Sequence, residues 1–377
     1  MKKPLRILHV ETGNLYGGAL QVHYLLRGLA DRENIESTLV CPNGSAISEA
    51  AMENVKRLYQ VPMKGDLDLV FISRLVSIIR KENPDIIHLH SRRGADILGG
   101  IAAKLTGKSC VLTRRVDNPE NRLWAGVKYR LYDKIITISE GIREVLISNR
   151  IPPRKITCVH SAVDMDLYGQ TCDRDWFLRE FGLKEGSRVC GTVAQLIDRK
   201  GHRFLIRAIP EILKAIPDAV FLFFGKGPVE DQLKSQCREL GIEKHVHFTG
   251  FRGDLDRIMG CLDIVIHPAL MEGLGVSLLQ AAAAGIPIVG TRVGGIPEII
   301  RDGVNGYLIP PSNVQSITDT VVKILADRNL ALQLGENGRM IASRDFSIES
   351  MVKGNLNVYM EMMKGKSRVN EPTLRKK

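Results

Sequence analysis

Nowhere in the 377 residues is there a run of the ~18 consecutive apolar residues that a membrane-spanning helix requires, so no transmembrane helix is expected. The opening MKKPLRILHVETG offers an apolar run of only about four, too short for the ~7–15-residue core of a signal peptide. Cysteine is sparse and unpatterned. The seven (Cys41, Cys110, Cys158, Cys172, Cys190, Cys237, Cys261) are odd in number and never spaced CxxC. That spacing argues against a zinc site or a disulfide frame and predicts reduced thiols in a cytosol. Aromatic residues are also few, 5% of the chain, without the interleaving of basic and aromatic side chains that a nucleic-acid stacking surface needs.

What is present belongs to an ordinary globular protein, 44% hydrophobic and 25% charged. Its length exceeds what one core usually supports, which predicts two domains. The net charge of +11 is uneven: residues 1–165 hold 25 Lys+Arg against 17 Asp+Glu, and KGKSRVNEPTLRKK (364–377) holds six against one. A basic first half and tail beside a near-neutral second half suggest two partners with different electrostatics, the candidates being nucleic acid or an anionic membrane surface. A merely solubilising tail accounts for the last segment equally well.

Apolar strand-like runs alternate with amphipathic stretches from end to end. RILHVE (6–11), STLVC (37–41), DIIHLH (85–90), SCVLTR (109–114) and KIITIS (134–139) form one series, and RVCGTVAQL, AVFLFFG, HVHFTG, DIVIHPA and IPIVGT a second. Because these runs are continuously apolar and not alternating, they predict parallel sheets buried on both faces, in two doubly wound α/β domains. The break is expected near SAVDMDLYGQ (161–170), giving domains over 1–165 and 166–345. A helix over 346–363 and a disordered basic tail over 364–377 complete the chain.

In open parallel sheets ligands bind beyond the carboxyl ends of the strands, and with two such domains the expected site is the cleft between them. Three turns are candidates. In ETGNLYGGALQ (11–21), Gly17 and Gly18 precede a helix whose exposed N–H groups favour an anion; a plain tight turn is the competing reading. This turn is not GxGxxG and lacks the ribose-binding acid, which disfavours a nicotinamide cofactor. In VAQLIDRKGHRFLIRAI (193–209), Arg199 and Lys200 before Gly201 suit a diphosphate, although exposed Lys-Arg pairs are common. The third is MEGLGVSLLQAAAAGIPIVGTRVGGIPEII (271–300). With a helix starting near Gly275, Glu272 and Gln280 are expected on one broad side of it, and Leu274, Gly275 and Val276 supply N–H donors for a phosphate. An ordinary core helix behind a glycine turn would look similar.

That third stretch, with DIVIHPA before it and RDGVNGYLI after it, resembles the signature of glycosyltransferase family four, retaining enzymes with two Rossmann-like domains facing a cleft, the GT-B fold. GGALQVHYLLRGLA, TISEGIREVL and the Lys200-Gly201 turn extend the resemblance over nearly the whole chain. It implies that Glu272 contacts the donor sugar, that Lys200 holds the donor diphosphate beside Gly17 and Gly18, and that Phe251 and Arg252 line the nucleobase pocket. Three positions depart from the family pattern. Gln280 replaces the second Glu, which binds the ribose; Gln195 stands where many relatives have Arg; and Arg115 replaces a His, making a titratable group a permanent cation.

The expected function is transfer of a sugar from a nucleoside diphosphate sugar to an acceptor hydroxyl with retention, Lys200, Arg199 and Arg115 stabilising the leaving group. No metal or other cofactor is expected. The acceptor implied by the resemblance is a lipid-linked or cell-surface glycan, as in lipopolysaccharide biosynthesis, at the anionic inner face of the membrane, with the enzyme cytoplasmic and peripheral. A non-hydrolysing nucleotide-sugar epimerase would need more acids in the cleft, and a nucleic-acid binder would leave the glycine turns unexplained. His88 and His90 point the same way at a strand end, but no third metal ligand is evident beside them. The triplets at 66–68, 164–166 and 254–256 read as helix-flanking acids, not as a metal-binding Asp-x-Asp.

Overall fold

The computed structural model describes residues 3–13, 17–90 and 94–369, which divide into two compact units. One holds the residues up to Ser161 together with those from Ile348; the other is Ala162–Ser347. Each is built on one parallel sheet. The first comprises β1 (Leu5–Val10), β2 (Ile35–Pro42), β3 (Arg57–Val61), β4 (Ile86–Leu89), β5 (Ser109–Arg114), β6 (Lys134–Thr137) and β7 (Ile156–Cys158), in the order β3-β2-β1-β4-β5-β6-β7. The second comprises β8 (Arg188–Val193), β9 (Ala219–Phe224), β10 (Val246–Gly250), β11 (Ile264–His267), β12 (Ile288–Thr291) and β13 (Gly306–Ile309), in the order β10-β9-β8-β11-β12-β13.

The central strands are buried on both faces because helices cover each side, which is why they read as unbroken apolar runs. Phe71, Tyr132 and Tyr359 fill the first unit, and Phe177, Phe221 and Phe223 the second. β3 and β13 lie at sheet edges and are only partly buried, so their sequences RLYQV and GYLI lack that signature. In each sheet the strand order reverses once, between β1 and β4 and between β8 and β11. Those reversals leave a crevice beyond the strand ends, the place where α/β sheets bind ligands.

The last helix, Ile348–Val369, belongs to the first unit. It runs close along the helix Gly18–Ala30, where a Cβ on Gly28 would come within 2.5 Å of the Val352 side chain. The tail predicted to begin at Lys364 thus starts as helix, and residues 370–377 lie outside the described residues.

The thiol expectation needs correcting for one pair. Cys172 and Cys261 form a disulfide with Cα atoms 5.1 Å apart, while Cys41, Cys110, Cys158, Cys190 and Cys237 are free. The partners are 89 residues apart. Such a pairing leaves no trace in local spacing, because the fold alone brings the chain before the helix Arg174–Phe181 to the residues just after the helix Leu255–Met259.

Candidate active site

At the second reversal point, two strand-to-helix loops are tied together through backbone. β8 leads into a one-turn 3₁₀ segment, Asp198–Lys200, then Gly201 and the helix His202–Ala215. Gly201 is left-handed, φ 69°, and a Cβ there would lie 2.0 Å from the Pro268 carbonyl oxygen of the loop after β11. Only glycine permits that approach. The Arg199 carbonyl accepts the N–H of Leu270 at 2.7 Å, so the loops hold one another in register.

The result is a three-residue constellation. Lys200 Nζ donates to Glu272 Oε2 at 2.5 Å, and His267 Nε2 meets the same oxygen at 2.6 Å. Glu272 Oε1 accepts the Gly273 N–H at 3.0 Å. The Gly-Gly turn after β12 fixes the backbone of Glu272. A Cβ on Gly294 (φ 51°) would overlap the Glu272 carbonyl oxygen at 1.7 Å, and that oxygen accepts the Gly295 N–H. Burial alone would raise the Glu272 carboxyl. The hydrogen bond and charge of His267 and the Lys200 ammonium outweigh it, holding the carboxyl well below the usual carboxylate range.

Glu272 lies before the helix Val276–Ala283, not within it, so a helical offset between Glu272 and Gln280 does not apply. Gln280 is buried, and its Nε2 donates to the Tyr168 hydroxyl at 2.6 Å. Leu274 is buried, Gly275 caps the helix with φ 97°, and Val276 opens it half-buried. The first N–H groups of such a helix have no intrahelical acceptor and suit an anion. Gln195 is exposed, and Phe251 is half exposed. Arg252 is engaged on all sides by Asp254 (2.8 and 2.6 Å) and Glu180 (2.5 Å), carboxylate hydrogen bonds that raise its pKa further. Its fork is committed within the protein.

The first unit gathers another set beside β1 and β5. Gly18 opens the helix Gly18–Ala30, and a Cβ on it would stand 3.1 Å from Arg115 Cδ, so the glycine makes room for that side chain. Arg115 Nε has no hydrogen-bond partner among the described residues. Burial pulls its guanidinium down to about 10, against the opposing pull of Glu11. Gly17 takes φ 56° as the N-cap. The neighbouring Arg114 has a structural role, bonded to Glu120, Tyr129 and the carbonyls of Val116 and Asn118.

A third imidazole does accompany His88 and His90. The register of β1 on β4 sets His9 opposite His88, and one ligand atom of each of the three histidines lies within 4.8 Å of the others. The donor set fits a metal poorly. His88 spends both nitrogens on the Tyr359 hydroxyl and Thr113 Oγ1, each at 2.6 Å, and His9 Nδ1 bonds His90 Nε2 at 3.0 Å. Burial lowers the pKa of all three. They read as neutral packed histidines that fasten the last helix to the sheet. The Asp-x-Asp triplets are helix-flanking: Asp68 and Asp164 cap helices, and Asp254 holds Arg252.

Sequence reasoning missed His267 and His202. His267 ends a buried strand five residues before Glu272, a polar residue where the pattern demands an apolar one. His202, buried against Phe223, has no hydrogen-bond partner on either ring nitrogen among the described residues. Its pKa falls to about 3 through burial and the charges of His267 and Lys200.

Two parallel α/β domains, with a cation-carboxylate pair at the reversal point of the second, suit the GT-B class of glycosyltransferases, and comparison with known proteins identifies the chain as an enzyme of that class. Residues 16–167 match the family described as Glycosyltransferase Family 4, and residues 173–340 match Glycosyl transferases group 1. The chain belongs to family four, with the GT-B fold. It is 24% identical over 382 residues to UDP-Gal:alpha-D-GlcNAc-diphosphoundecaprenol alpha-1,3-galactosyltransferase of Escherichia coli, covering 96% of this chain and 98% of the relative. It is 24% identical over 355 residues to N-acetyl-alpha-D-glucosaminyl L-malate synthase of Bacillus anthracis, covering 91% and 90%. The solved structure of HepE from Anabaena in complex with UDP superposes with a TM-score of 0.81 over 95% of this chain and 100% of that one. At 19% identity this last likeness speaks for the fold.

Proposed function

We propose that this glycosyltransferase moves a sugar from a nucleoside diphosphate sugar to a hydroxyl of a lipid-linked or cell-surface glycan, with retention and without a metal. One observation carries the reading: the buried Glu272 carboxylate held by Lys200 and His267 at the reversal point of the second sheet. The barrier lies in departure of the diphosphate from an oxocarbenium-like centre. Lys200, Arg199 and the helix N-terminus at Val276 stabilise the charge that builds on the leaving group. Glu272 orients the sugar. Among the described residues no second carboxylate is bonded to Lys200 or His267, which favours front-face transfer, the leaving phosphate taking the acceptor's proton. Lys200 and Arg199 take the place a divalent ion would fill.

The lipid-linked acceptor is supported by the diphosphoundecaprenol compound in the name of the Escherichia coli relative. Two further features support an anionic membrane surface as the place of work. One is the excess of basic residues in 1–165; the other is the helix Arg122–Lys128, which exposes Leu123, Trp124 and Val127. Among the described residues no helix is long and apolar enough to cross a membrane.

The test is thermal stabilisation by UDP, GDP, ADP, CDP and NAD. A ligand at ~100 times its Kd adds about 2.7 kcal/mol and shifts melting visibly. One nucleoside diphosphate is expected to stand out, with UDP first in line from the relative's donor. Stabilisation by NAD alone, or by none of the five, would sink the donor-site assignment.

A further inference from the structure

Lys200 has two tasks that compete. In the structure its ammonium lies 2.5 Å from Glu272 Oε2, both side chains mostly buried. In the proposed reaction, on whose roles for Lys200 and Glu272 the following rests, that ammonium turns to the donor's diphosphate. A buried carboxylate that loses its cation is costly unless other donors remain. Glu272 keeps two. Its Oε1 has the Gly273 N–H, a neutral backbone donor, and its Oε2 has His267 Nε2 at 2.6 Å.

His267 is built for that task. It is the last residue of β11, so the sheet fixes its backbone, and its side chain is almost fully buried. An ionised carboxylate only accepts hydrogen bonds, so Nε2 carries the proton of this contact. Nδ1 has no hydrogen-bond partner among the described residues. Among the described residues, the charged and titratable groups that face the ring are Glu272 itself and, through their mutual influence, His202. Lys200 meets the same carboxylate oxygen.

We infer that His267 is a positioning residue, keeping Glu272 ionised and aimed at the sugar when Lys200 shifts its ammonium to the diphosphate. Lys200 then serves as a shared cation that arriving donor draws away, and His267 as the anchor that stays.

The inference is tested by titrating Glu272 directly, using protein labelled with ¹³C at the Glu carboxyls and assigning the resonance as the one lost in Glu272→Gln. In Lys200→Ala, which mimics departure of the ammonium, Glu272 should still titrate below an ordinary Glu. In His267→Phe its midpoint should rise by about one pH unit or more, since burial then meets less opposition. His267→Gln, whose amide nitrogen can occupy the place of Nε2, should restore most of the shift and serves as the control for folding. On donor turnover, read as nucleotide release from UDP-glucose, UDP-galactose and GDP-mannose, His267→Phe should lower kcat about tenfold with KM little changed. Its acid limb should move to higher pH.

An unchanged Glu272 midpoint in His267→Phe overturns the inference, whatever the turnover. If instead Glu272→Ala and Lys200→Ala release nucleotide at the wild-type rate, the catalytic reading itself fails. A shifted midpoint would then still show His267 anchoring the carboxylate.

Discussion

Glu272 illustrates how much surrounding structure one carboxylate needs. Its side chain is held by a lysine, a histidine and a backbone N–H, and its carbonyl by the Gly294-Gly295 turn. Gln280, in the position of the family's second acid, is held in a different way. Its buried amide has spent a donor on the Tyr168 hydroxyl, within the second unit. Tyr168→Phe leaves that N–H without its acceptor and should destabilise the protein by about 1–3 kcal/mol, read as a lower melting temperature. The double variant Tyr168→Phe/Gln280→Leu should lose less than the sum of the single changes, since no orphaned donor then remains. Strict additivity would mean the bond contributes nothing.

The short helix Arg122–Lys128 turns its polar anchor inward and its apolar side chains outward. Lys128 is buried against Asp96 and Glu120, at 2.7 and 3.1 Å, while Leu123, Trp124 and Val127 are 84%, 50% and 60% exposed. Arg122 and Arg130 flank them, exposed and without an ion pair among the described residues. An interfacial tryptophan between cations suits an anionic lipid surface. The chain has two tryptophans, so Trp176→Phe leaves Trp124 as a sole reporter. Its emission should shift to the blue with phosphatidylglycerol vesicles, not with phosphatidylcholine ones, and return as salt screens the surface. No shift on anionic vesicles would remove this helix from the membrane proposal.

At the scale of the whole molecule, the two units repeat one plan, each a parallel sheet whose order reverses once. The disulfide is an addition to the second, closing an 89-residue span between Cys172 and Cys261. Its removal by Cys172→Ser, or by reductant, should lower the stability of that unit by about 2–4 kcal/mol. Calorimetry should show the loss in one transition. Melting that is identical with and without reductant would mean that the pair is not oxidised in solution.

Much of the fold was legible because its determinants are local. Continuous apolar runs announced the central strands, and glycines before helices announced the turns that carry Gly18, Lys200 and Glu272. The edge strands β3 and β13 escaped because a half-buried strand does not have that continuous pattern. The sequence by itself therefore determined two doubly wound domains and where the glycine turns before their helices fall, since strand burial and φ > 0 each constrain residue type at a single position. Only the tertiary structure decided which of those turns meet. Sheet order brings Lys200 to Glu272 across 72 residues, sets His9 beside His88 and His90, and joins Cys172 to Cys261. It also commits Arg252 to Asp254 and Glu180 and gives Glu272 its second anchor in His267. No periodicity or spacing records such contacts, because they depend on which strands become neighbours and not on how far apart the residues stand along the chain.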